Sequence, residues 1–417
     1  MVTTADNDLM TRVEGEAPLG RLMREHYWVP FALSTNVVAG DPPAAVRLFG
    51  DNFVAFRAPD GRIALLDEGC PHRRASLLLA RIEGDALRCI YHGWKIDVEG
   101  RVVEAPTQVT RHDQFCAGVK VGYHPVHEEA GIAWVWLGGG ERPPPFPDLP
   151  FNDEHGLEMV MTISAVPANW LQGLEGGMDS VHAPILHRSV IDATLAIKGD
   201  TDTMGVRATF AAPPSYETEQ TPFGLRQASL RPTEDGRTYV RMAHYFFPFV
   251  ILVPNGYGSA VHAFCFAPID DCNHLVFFGN YGTTPLSLRE VSGALEGELP
   301  DPRNFAAFEG DRGDRWGQDR ELMNAGHWSG FGRSAIAEDT AVQVSMGPVV
   351  DRTKENLSSS DVAIAQTRRL ILDTLTGYAQ GQTPPGSAQT TERVRVPQPF
   401  DAVLDAEASW RELRPAG

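Results

Sequence analysis

The stretch 70–92, CPHRRASLLLARIEGDALRCIYH, brings together four metal-ligating side chains in two mixed pairs. Cys70 and His72 form the first pair, Cys89 and His92 form the second, and sixteen residues lie between the pairs. Zinc fingers usually place two cysteines in one pair and two histidines in the other. Here each pair offers one thiolate and one imidazole, which predicts two similar loops that hold metal from opposite sides.

This ligand set is the one that a Rieske [2Fe–2S] cluster requires, because one iron takes two thiolates and the other takes two imidazoles. Imidazole ligation raises the reduction potential of such a cluster above that of an all-thiolate cluster, which suits it to relaying electrons. Gly69 and Gly93 allow a tight backbone beside the pairs, and we expect Trp94 to shield the cluster from water. A structural zinc site is the alternative that the spacing leaves open.

A second group of candidate ligands lies in the stretch 174–189, LEGGMDSVHAPILHRS, within a segment that is predicted to be helical. Asp179 and His182 are three apart and would share a helix face. His182 and His187 are five apart, which on an ideal helix separates them by about 140°. They cannot reach one metal from an unbroken helix, so we expect Pro184 to disrupt the helix and bring His187 back.

Two histidines and one carboxylate on one face of Fe(II) leave positions open for O2. The third ligand must come from elsewhere in the chain. Asp339, in AIAEDTAVQ (335–343), is the preferred candidate, but spacing alone leaves Glu338, Asp351 and Asp361 open.

Length and composition limit the possible classes of protein. A chain of 417 residues is too long for one ordinary core, so two domains are expected. Short β runs come first, and Asp60-Gly61 is predicted to form a hairpin turn between two of them. Strand-like runs mixed with helices follow, among them the helical stretch 361–375, DVAIAQTRRLILDTL, and this mixture predicts the α+β class.

The formal net charge of −18 repels phosphate backbones, so nucleic acid is not an expected partner. No apolar run is long enough to span a membrane and no secretory signal is evident, which predicts a cytoplasmic protein without a membrane partner. Five cysteines do not make a disulfide framework. Three of them, Cys116, Cys265 and Cys272, are isolated and are interpreted as free thiols.

The residues described so far resemble the Rieske non-haem iron aromatic-ring oxygenases, in particular the phthalate dioxygenase-like group, which includes aromatic O-demethylases. Five strings carry the likeness, which runs over nearly the whole chain: NDLMTRVEGEAPLGRLMREHYWVP (7–30), DEGCPHRRASL (67–77), LRCIYHGWKID (87–97), NWLQGLEGGMDSVH (169–182) and GPVVDRTKENLSSSD (347–361). The resemblance implies a helical segment over 1–24 that packs on the catalytic domain, an all-β Rieske domain over 25–145, and a catalytic helix-grip domain over 146–417 with an antiparallel sheet.

The resemblance also assigns roles to particular residues. It supports Asp339 as the third iron ligand. It identifies Asp179 as the aspartate that joins an iron histidine to a cluster histidine of the next protomer, here His182 to His92 of the partner subunit. A ring of three subunits, or two stacked rings, follows from this arrangement.

The implied reaction uses O2 and electrons from NAD(P)H to oxidise an aromatic substrate. No strand–GxGxxG–helix unit is present, so the electrons must come through a separate reductase, with or without a ferredoxin. A Rieske electron carrier without oxygenase activity is the alternative class of protein.

Substrate recognition is predicted from the same resemblance. Arg207, Arg241 and Ser180 occupy places where phthalate-type relatives hold a carboxylate, although surface ion pairs explain either arginine equally well. The expected substrate is an aromatic carboxylate, with a monooxygenase acting on a non-carboxylated aromatic as the alternative. Ring dihydroxylation and O-demethylation both remain open.

Overall fold

The computed structural model of the chain describes residues 2–140, 142–192, 214–254, 260–285, 287, 310–332, 334–387, 392–405 and 407–413. Its named strands pair antiparallel, and several helices pack on one large sheet. The predicted α+β class is therefore confirmed.

Two helices begin the chain, α1 (Thr4–Thr11) and α2 (Pro18–His26). A capping box at the N-terminus of α1 is a local sequence signal for this helix. Both helices pack against the C-terminal part of the chain. The side chain of Asn7, for example, donates from Nδ2 to the carbonyl of Val350 at 3.1 Å.

Three small antiparallel sheets follow, in the orders β1-β11-β10, β2-β3-β4-β9 and β5-β6-β7-β8. Their strands are β1 (Val29–Leu33), β2 (Ala44–Leu48), β3 (Asp51–Arg57), β4 (Ile63–Asp67), β5 (Arg81–Glu83), β6 (Ala86–Arg88), β7 (Lys95–Asp97), β8 (Val102–Glu104), β9 (Tyr123–His124), β10 (Val126–Glu129) and β11 (Ile132–Val135). The predicted turn at Asp60-Gly61 joins β3 to β4, and Gly61 has a φ of +93°, which glycine adopts without strain.

An eight-stranded antiparallel sheet forms the centre of the second half of the chain. Its order is β12-β18-β17-β16-β15-β14-β13, and β19 pairs with β15. The strands are β12 (Glu158–Val166), β13 (Ser215–Thr221), β14 (Gly224–Pro232), β15 (Thr238–Phe246), β16 (Val250–Pro254), β17 (Val261–Pro268), β18 (His274–Gly282) and β19 (Asp401–Leu404).

One face of this sheet carries several polar side chains. Side chains alternate along a strand, so Gln227, Ser229 and Arg231 of β14 share a face, and the pairing of Ser229 with Arg241 puts Arg241 of β15 on it as well. The amide of Gln227 donates from Nε2 to the Met178 carbonyl at 3.1 Å. The polar face is therefore the one that the helices cover.

The described helices after α2 are α3 (His112–Ala117), α4 (Trp170–Met178), α5 (Ala183–Leu186), α6 (Arg320–Asn324), α7 (Ala335–Ser345) and α8 (Val362–Ala379). α8 confirms the helix that was predicted near the C-terminus. α4 lies close against the sheet because two of its residues have no side chain. A Cβ on Gly173 would meet His274 Nε2 at 2.5 Å, and one on Gly177 would meet Ile251 Cδ1 at 2.9 Å.

The segment around Asp179 differs from the predicted helix. α4 ends at Met178, and Asp179 follows in an extended conformation (φ −84°, ψ 121°), so Asp179 and His182 do not share a helix face. Pro184 lies in the first turn of α5, where its missing N–H leaves no hydrogen bond unmade. The prediction that Pro184 breaks a helix was therefore wrong, because it lies at the start of a new one.

Two apolar cores dominate the interior. The larger extends from Met10 to Val396 and includes Trp134 of β11, while the smaller lies within 54–121 and contains Cys70 and Cys89. The proposed boundary at residue 145 thus stays a prediction, since the larger core includes residues on both sides of it. In the described part of the chain, no helix combines the length and apolarity needed to cross a bilayer.

Candidate active site

The two mixed Cys/His pairs lie on loops of similar backbone shape. In each loop the cysteine amide donates to the carbonyl five residues on, and the amide four residues on donates back to the cysteine carbonyl, at 2.8–2.9 Å. The residue four positions after the cysteine is left-handed in both loops, Arg74 at φ +61° after Cys70 and Gly93 at φ +74° after Cys89. The predicted similarity of the loops is therefore confirmed.

The loops bring their side chains together as two like pairs. The rings of His72 and His92 lie edge to face with their centroids 4.4 Å apart, and the thiols of Cys70 and Cys89 interact with each other. Burial raises the pKa of the Cys70 thiol to about 11, and the neighbouring thiol of Cys89 adds to this rise. Thiolates at this position therefore require a positively charged metal centre.

A single zinc ion does not fit these four residues. One tetrahedral ion needs all four donor atoms around itself. The donor atoms of these four residues do not all lie within 4.8 Å of one another. Two irons, one held by the thiol pair and one by the imidazole pair, match the arrangement.

Trp94 packs beside the cluster loops. Its ring stacks on that of His72, with centroids 4.6 Å apart and planes 6° from parallel, and its Nε1 donates to Thr107 Oγ1 at 2.9 Å. Only 4% of Trp94 is exposed. This side of the histidine pair is closed to water, as the sequence predicted.

A second convergence of donors lies between the polar face of the sheet and the helices. His182, His187 and Asp339 each offer a ligand atom within 4.8 Å of the others. Asp339 Oδ1 lies 3.4 Å from His182 Nε2 and 3.2 Å from His187 Nε2. The two histidines flank α5, and Asp339 extends from α7, so the docking of two helices brings the three together.

The other candidates for the third ligand are engaged elsewhere. The carboxylate of Glu338 accepts a hydrogen bond from Nδ1 of His187, on the opposite side of the ring from Asp339. Asp351 accepts from the amide of Thr353, and Asp361 forms a capping box with a nearby serine. The geometry therefore favours Asp339.

The electrostatics of this group suit a cation. Burial lowers the pKa of His182, but the carboxylates of Asp179 and Asp339 outweigh burial and raise it to about 10. Burial also lowers the pKa of His187, but Asp339 outweighs burial and raises this pKa to about 9. Burial raises the pKa of Asp339, yet the two histidines hold it far below its usual value. Protons occupy the metal-free site at neutral pH, and a metal ion would replace them.

Asp179 lies beside this group and remains partly exposed. Its Oδ2 is 3.6 Å from His182 Nδ1, and its Oδ1 accepts from the Val181 amide at 2.7 Å. The carboxylate therefore orients His182 from the side opposite Asp339. The aromatic rings that contact His92 belong to the two cluster loops. None of the described contacts joins Asp179 to His92 of the same chain.

The structure brings two of the three predicted substrate residues together. Arg241 Nη1 donates to Ser180 Oγ at 3.2 Å, and Arg241 Nε donates to the Pro254 carbonyl at 2.7 Å. The guanidinium is thus held by a carbonyl and a hydroxyl, next to the residue that follows Asp179. Arg207 lies outside the described residues.

Sequence analysis missed two residues near Arg241. Arg231 is fully buried, donates from Nη1 to Ser229 Oγ at 3.0 Å, and has no partner for Nε or Nη2 among the described residues. His262 is held neutral, because burial and the charge of Arg241 lower its pKa to about 4. Alternation of polar residues in β14, at 227, 229 and 231, is the sequence signal that points to this face.

Comparison with protein families identifies the class. A model described as Rieske [2Fe-2S] domain matches residues 27–121, and one described as LigXa C-terminal domain like matches residues 135–416. These two parts, in this order, define the oxygenase subunit of a Rieske oxygenase. The chain belongs to the phthalate dioxygenase-like group of these non-haem iron oxygenases, as the resemblance predicted.

Curated relatives agree with this assignment. The phthalate 4,5-dioxygenase oxygenase subunit of Pseudomonas putida is 35% identical, over 99% of this chain and 95% of the relative. The 3-chlorobenzoate-3,4-dioxygenase oxygenase subunit of Comamonas testosteroni is also 35% identical, over 93% and 92%. The 5,5'-dehydrodivanillate O-demethylase oxygenase subunit of a Sphingobium species is 27% identical, over 92% and 83%.

Solved structures share the fold. The terminal oxygenase of carbazole 1,9a-dioxygenase from Novosphingobium sp. KA1 superposes with a TM-score of 0.59 at 21% identity, covering 88% of this chain and 97% of the other. Dicamba monooxygenase superposes with a TM-score of 0.58 at 17% identity, covering 86% and 99%. The family matches and the relatives at 35% identity identify the protein as an oxygenase with a Rieske [2Fe–2S] cluster and a mononuclear iron, so the alternative of a pure electron carrier was wrong.

Proposed function

We propose that this protein is a terminal oxygenase that dihydroxylates an aromatic carboxylate, using O2 and electrons that originate in NAD(P)H. The observation that carries the proposal is the hydrogen bond between Arg241 and Ser180. Ser180 follows Asp179 in the chain, so the guanidinium is held close to the group formed by His182, His187 and Asp339. The two relatives at 35% identity are named as dioxygenases of phthalate and 3-chlorobenzoate, both aromatic acids.

Each metal has its own proposed ligands. Cys70, Cys89, His72 and His92 would hold the cluster, and His182, His187 and Asp339 would hold the iron. The donor chemistry fits, since two neutral imidazoles and one carboxylate are the facial ligand set of non-haem Fe(II) oxygenases. Iron bound there supplies the activation of O2, which no side chain can perform.

Arg241 would bind the substrate carboxylate and so orient the ring. A local cation is needed, because the net charge of −18 repels an anionic substrate from most of the surface. Arginine suits the task, since its planar guanidinium can donate two parallel hydrogen bonds to a carboxylate. Arg231, buried behind it on the neighbouring strand, adds positive potential without touching solvent.

Electrons would cross between subunits. Asp179 orients His182 and is partly exposed, which leaves it able to contact His92 of the partner subunit. Exposed apolar side chains lie beside both ends of such a route: Ile90 and Tyr91 next to His92, and Ile185 in α5. These surfaces could be covered by a neighbouring subunit, so the proposed assembly is a homotrimer or two stacked trimers. The proposal also includes a separate reductase, with or without a ferredoxin, and a place in the cytoplasm.

A second candidate function is O-demethylation, which the dehydrodivanillate O-demethylase relative at 27% identity favours. The two reactions share the iron ligands and differ in which carbon the pocket presents. Turnover with a surrogate reductase distinguishes them. We expect aromatic acids to stimulate O2 consumption and to gain two hydroxyl groups, whereas formaldehyde release from methoxylated acids would indicate the second function.

The carboxylate proposal is tested by Arg241→Met. Loss of a charge-assisted contact costs about 1.5–3 kcal/mol, so KM for an aromatic acid should rise about 10- to 100-fold. Its neutral methyl ester should show little change. Arg226→Met is the matched control, because Arg226 lies on the opposite face of the same sheet and pairs with Glu219. Equal effects on acid and ester would refute a carboxylate contact.

The route between subunits is tested by Asp179→Asn. This variant should keep both metals, because Asp179 is not among the proposed ligands, yet single-turnover oxidation of the reduced cluster should slow severely. Rapid-mixing absorbance of the cluster with substrate and O2 measures this rate. A wild-type rate would disprove the bridge.

A further inference from the structure

The two proposed iron histidines differ in the contact that Nδ1 of each ring makes with a carboxylate. His187 contacts carboxylates of two consecutive residues of α7, through Nε2 to Asp339 at 3.2 Å and through Nδ1 to Glu338 Oε2 at 2.6 Å. His182 contacts Asp179 through Nδ1 at 3.6 Å, and that carboxylate is 31% exposed. The side chain of Glu338 is 0% exposed. One histidine is therefore backed by a buried, short hydrogen bond and the other by a longer, partly solvated one.

Glu338 is itself held in place. Its second oxygen, Oε1, accepts a hydrogen bond from Ser329 Oγ. Ser329 in turn accepts from the amide of Phe331 at 3.2 Å, so the serine is fixed by its own loop. Glu338 also lies in the first turn of α7, where the helix dipole favours a negative charge. Both carboxylate oxygens are thus engaged, and the group cannot rotate away from His187.

The chemical consequence concerns the tautomer of His187. A neutral imidazole has one N–H and one lone pair, and the hydrogen bond made by one nitrogen decides which nitrogen is free to bind metal. With Nδ1–H donating to Glu338, the lone pair is at Nε2, which is the nitrogen that faces Asp339 and His182. Such a partner fixes the orientation of the ring and increases the ligand strength of the imidazole.

We propose that Glu338 is the positioning residue for His187, and that the Ser329–Glu338–His187 chain makes this histidine the more firmly held arm of the iron site. The proposal rests on the proposed iron ligands. Glu338 was one of the candidates for a direct iron ligand. In this proposal it acts on the iron site through His187 instead. Consecutive Glu338 and Asp339 then serve different nitrogens of one ring.

The test compares iron release from purified full-length protein. Fe(II) is captured by an excess of a chromogenic chelator, and the [2Fe–2S] absorbance is recorded in the same sample. We expect Glu338→Ala to release mononuclear iron about 10- to 100-fold faster than wild type. Glu338→Gln should be intermediate, because an amide oxygen still accepts from Nδ1–H. Ser329→Ala should have the smallest effect of the three.

A second readout separates positioning from simple packing. In protein loaded with Co(II) at the mononuclear site, an imidazole Nδ1–H gives a shifted, solvent-exchangeable proton signal. The signal that belongs to His187 should exchange slowly in wild type and fast in Glu338→Ala. Ser345→Ala, an exposed serine at the other end of α7, is the matched control and should change neither readout.

The outcomes are distinct. Release within twofold of wild type in both Glu338 variants, with Asp339→Ala losing its iron, would overturn the role of Glu338 and leave the proposed ligands standing. Retention of iron in Asp339→Ala would overturn the ligands and, with them, this inference. If Glu338→Ala does not fold, the comparison of Glu338→Gln with Ser329→Ala decides in its place.

Discussion

The two metal-binding regions of this protein are built in opposite ways. The proposed cluster ligands all lie within residues 70–92, on two loops of one small core. The proposed iron site depends on contacts such as that between His187 and Glu338, which are 151 positions apart. Closing a short loop costs less conformational entropy than closing a long one. The first site is therefore encoded locally, whereas the second depends on how α4, α5 and α7 dock on the sheet.

The regions also differ in contact with solvent. Around the cluster histidines, Ile90 and Tyr91 are 61% and 56% exposed. At the proposed iron site, His187 is 7% exposed and Glu338 is fully buried, while the side chains of His182 and Asp339 are each 26% exposed. A group that exchanges electrons with other proteins must lie near the surface, while a group that activates O2 benefits from an environment that excludes water. Separation into two regions satisfies both requirements.

The largest expected effect is a selective loss of the cluster in Cys89→Ser. Removing one thiolate should reduce the metal content from about three irons per chain to about one, with loss of acid-labile sulfide. Turnover should fall to background, because electrons no longer reach the iron. Iron and sulfide analysis, with the EPR spectrum of the reduced protein, measures both changes.

Asp339→Ala is the reciprocal control. It should lose about one iron per chain and keep the sulfide and the cluster spectrum. If either variant loses both kinds of metal, the two regions are not independent and the contrast drawn above fails. Zinc in place of iron in the wild type would contradict the assignment of both sites.

The next effect concerns the tertiary support of the iron site. Glu175 of α4 pairs with Arg352 Nη2 at 2.8 Å and with Arg368 Nε at 2.6 Å, and neither arginine side chain exceeds 6% exposure. Glu175→Gln would leave these charges buried without a full partner. We expect a loss of about 3–5 kcal/mol in the free energy of unfolding, with mononuclear iron lost before the cluster.

An exposed ion pair provides the comparison. Asp373 pairs with Arg369 on the surface of α8 at 3.4 Å, with both side chains more than half exposed. Asp373→Asn should cost about 0–1 kcal/mol. Chemical denaturation followed by cluster absorbance and by iron release measures both variants. Similar losses in the two variants would show that α4 is not anchored by its buried pairs.

The last prediction concerns the pH dependence of metal binding. Without metal, His182 and His187 have pKa values of about 10 and 9, so both are protonated at pH 7. Fe(II) needs neutral imidazoles and must displace these protons. Its affinity should therefore rise with pH, by about tenfold per unit for each displaced proton, until pH approaches 9. Competition with a chelator at pH 6, 7 and 8 measures this slope, and an affinity that falls or stays level would contradict it.

Much of the cluster region could be predicted from the sequence because its determinants are close neighbours. The mixed Cys/His pairs, the turn at Asp60-Gly61 and the position of Trp94 follow from local spacing and turn chemistry. α8 was predicted for a similar reason, since its length and composition favour a helix without help from distant residues. Interactions between residues that are a few positions apart can be predicted directly from the sequence.

Contacts in the iron region could not be predicted from local sequence in this way. Four acidic residues were open as the third ligand, and only the docking of α7 distinguished Asp339 from Glu338. The role of Pro184 was misjudged, because α4 had already ended at Met178. The alternation in β14 indicates that Arg231 lies on a polar face, but only the pairing of β14 with β15 puts it beside Arg241.

By itself the sequence determined the kinds of metal, the histidines that are proposed to bind them and the class of the fold, since these depend on residue chemistry at short spacing. The tertiary structure decided which carboxylate meets which ring nitrogen and which arginines meet at Ser180. Those contacts join residues that are far apart in the chain, and a backbone must fold completely before distances of a few ångströms between them are defined.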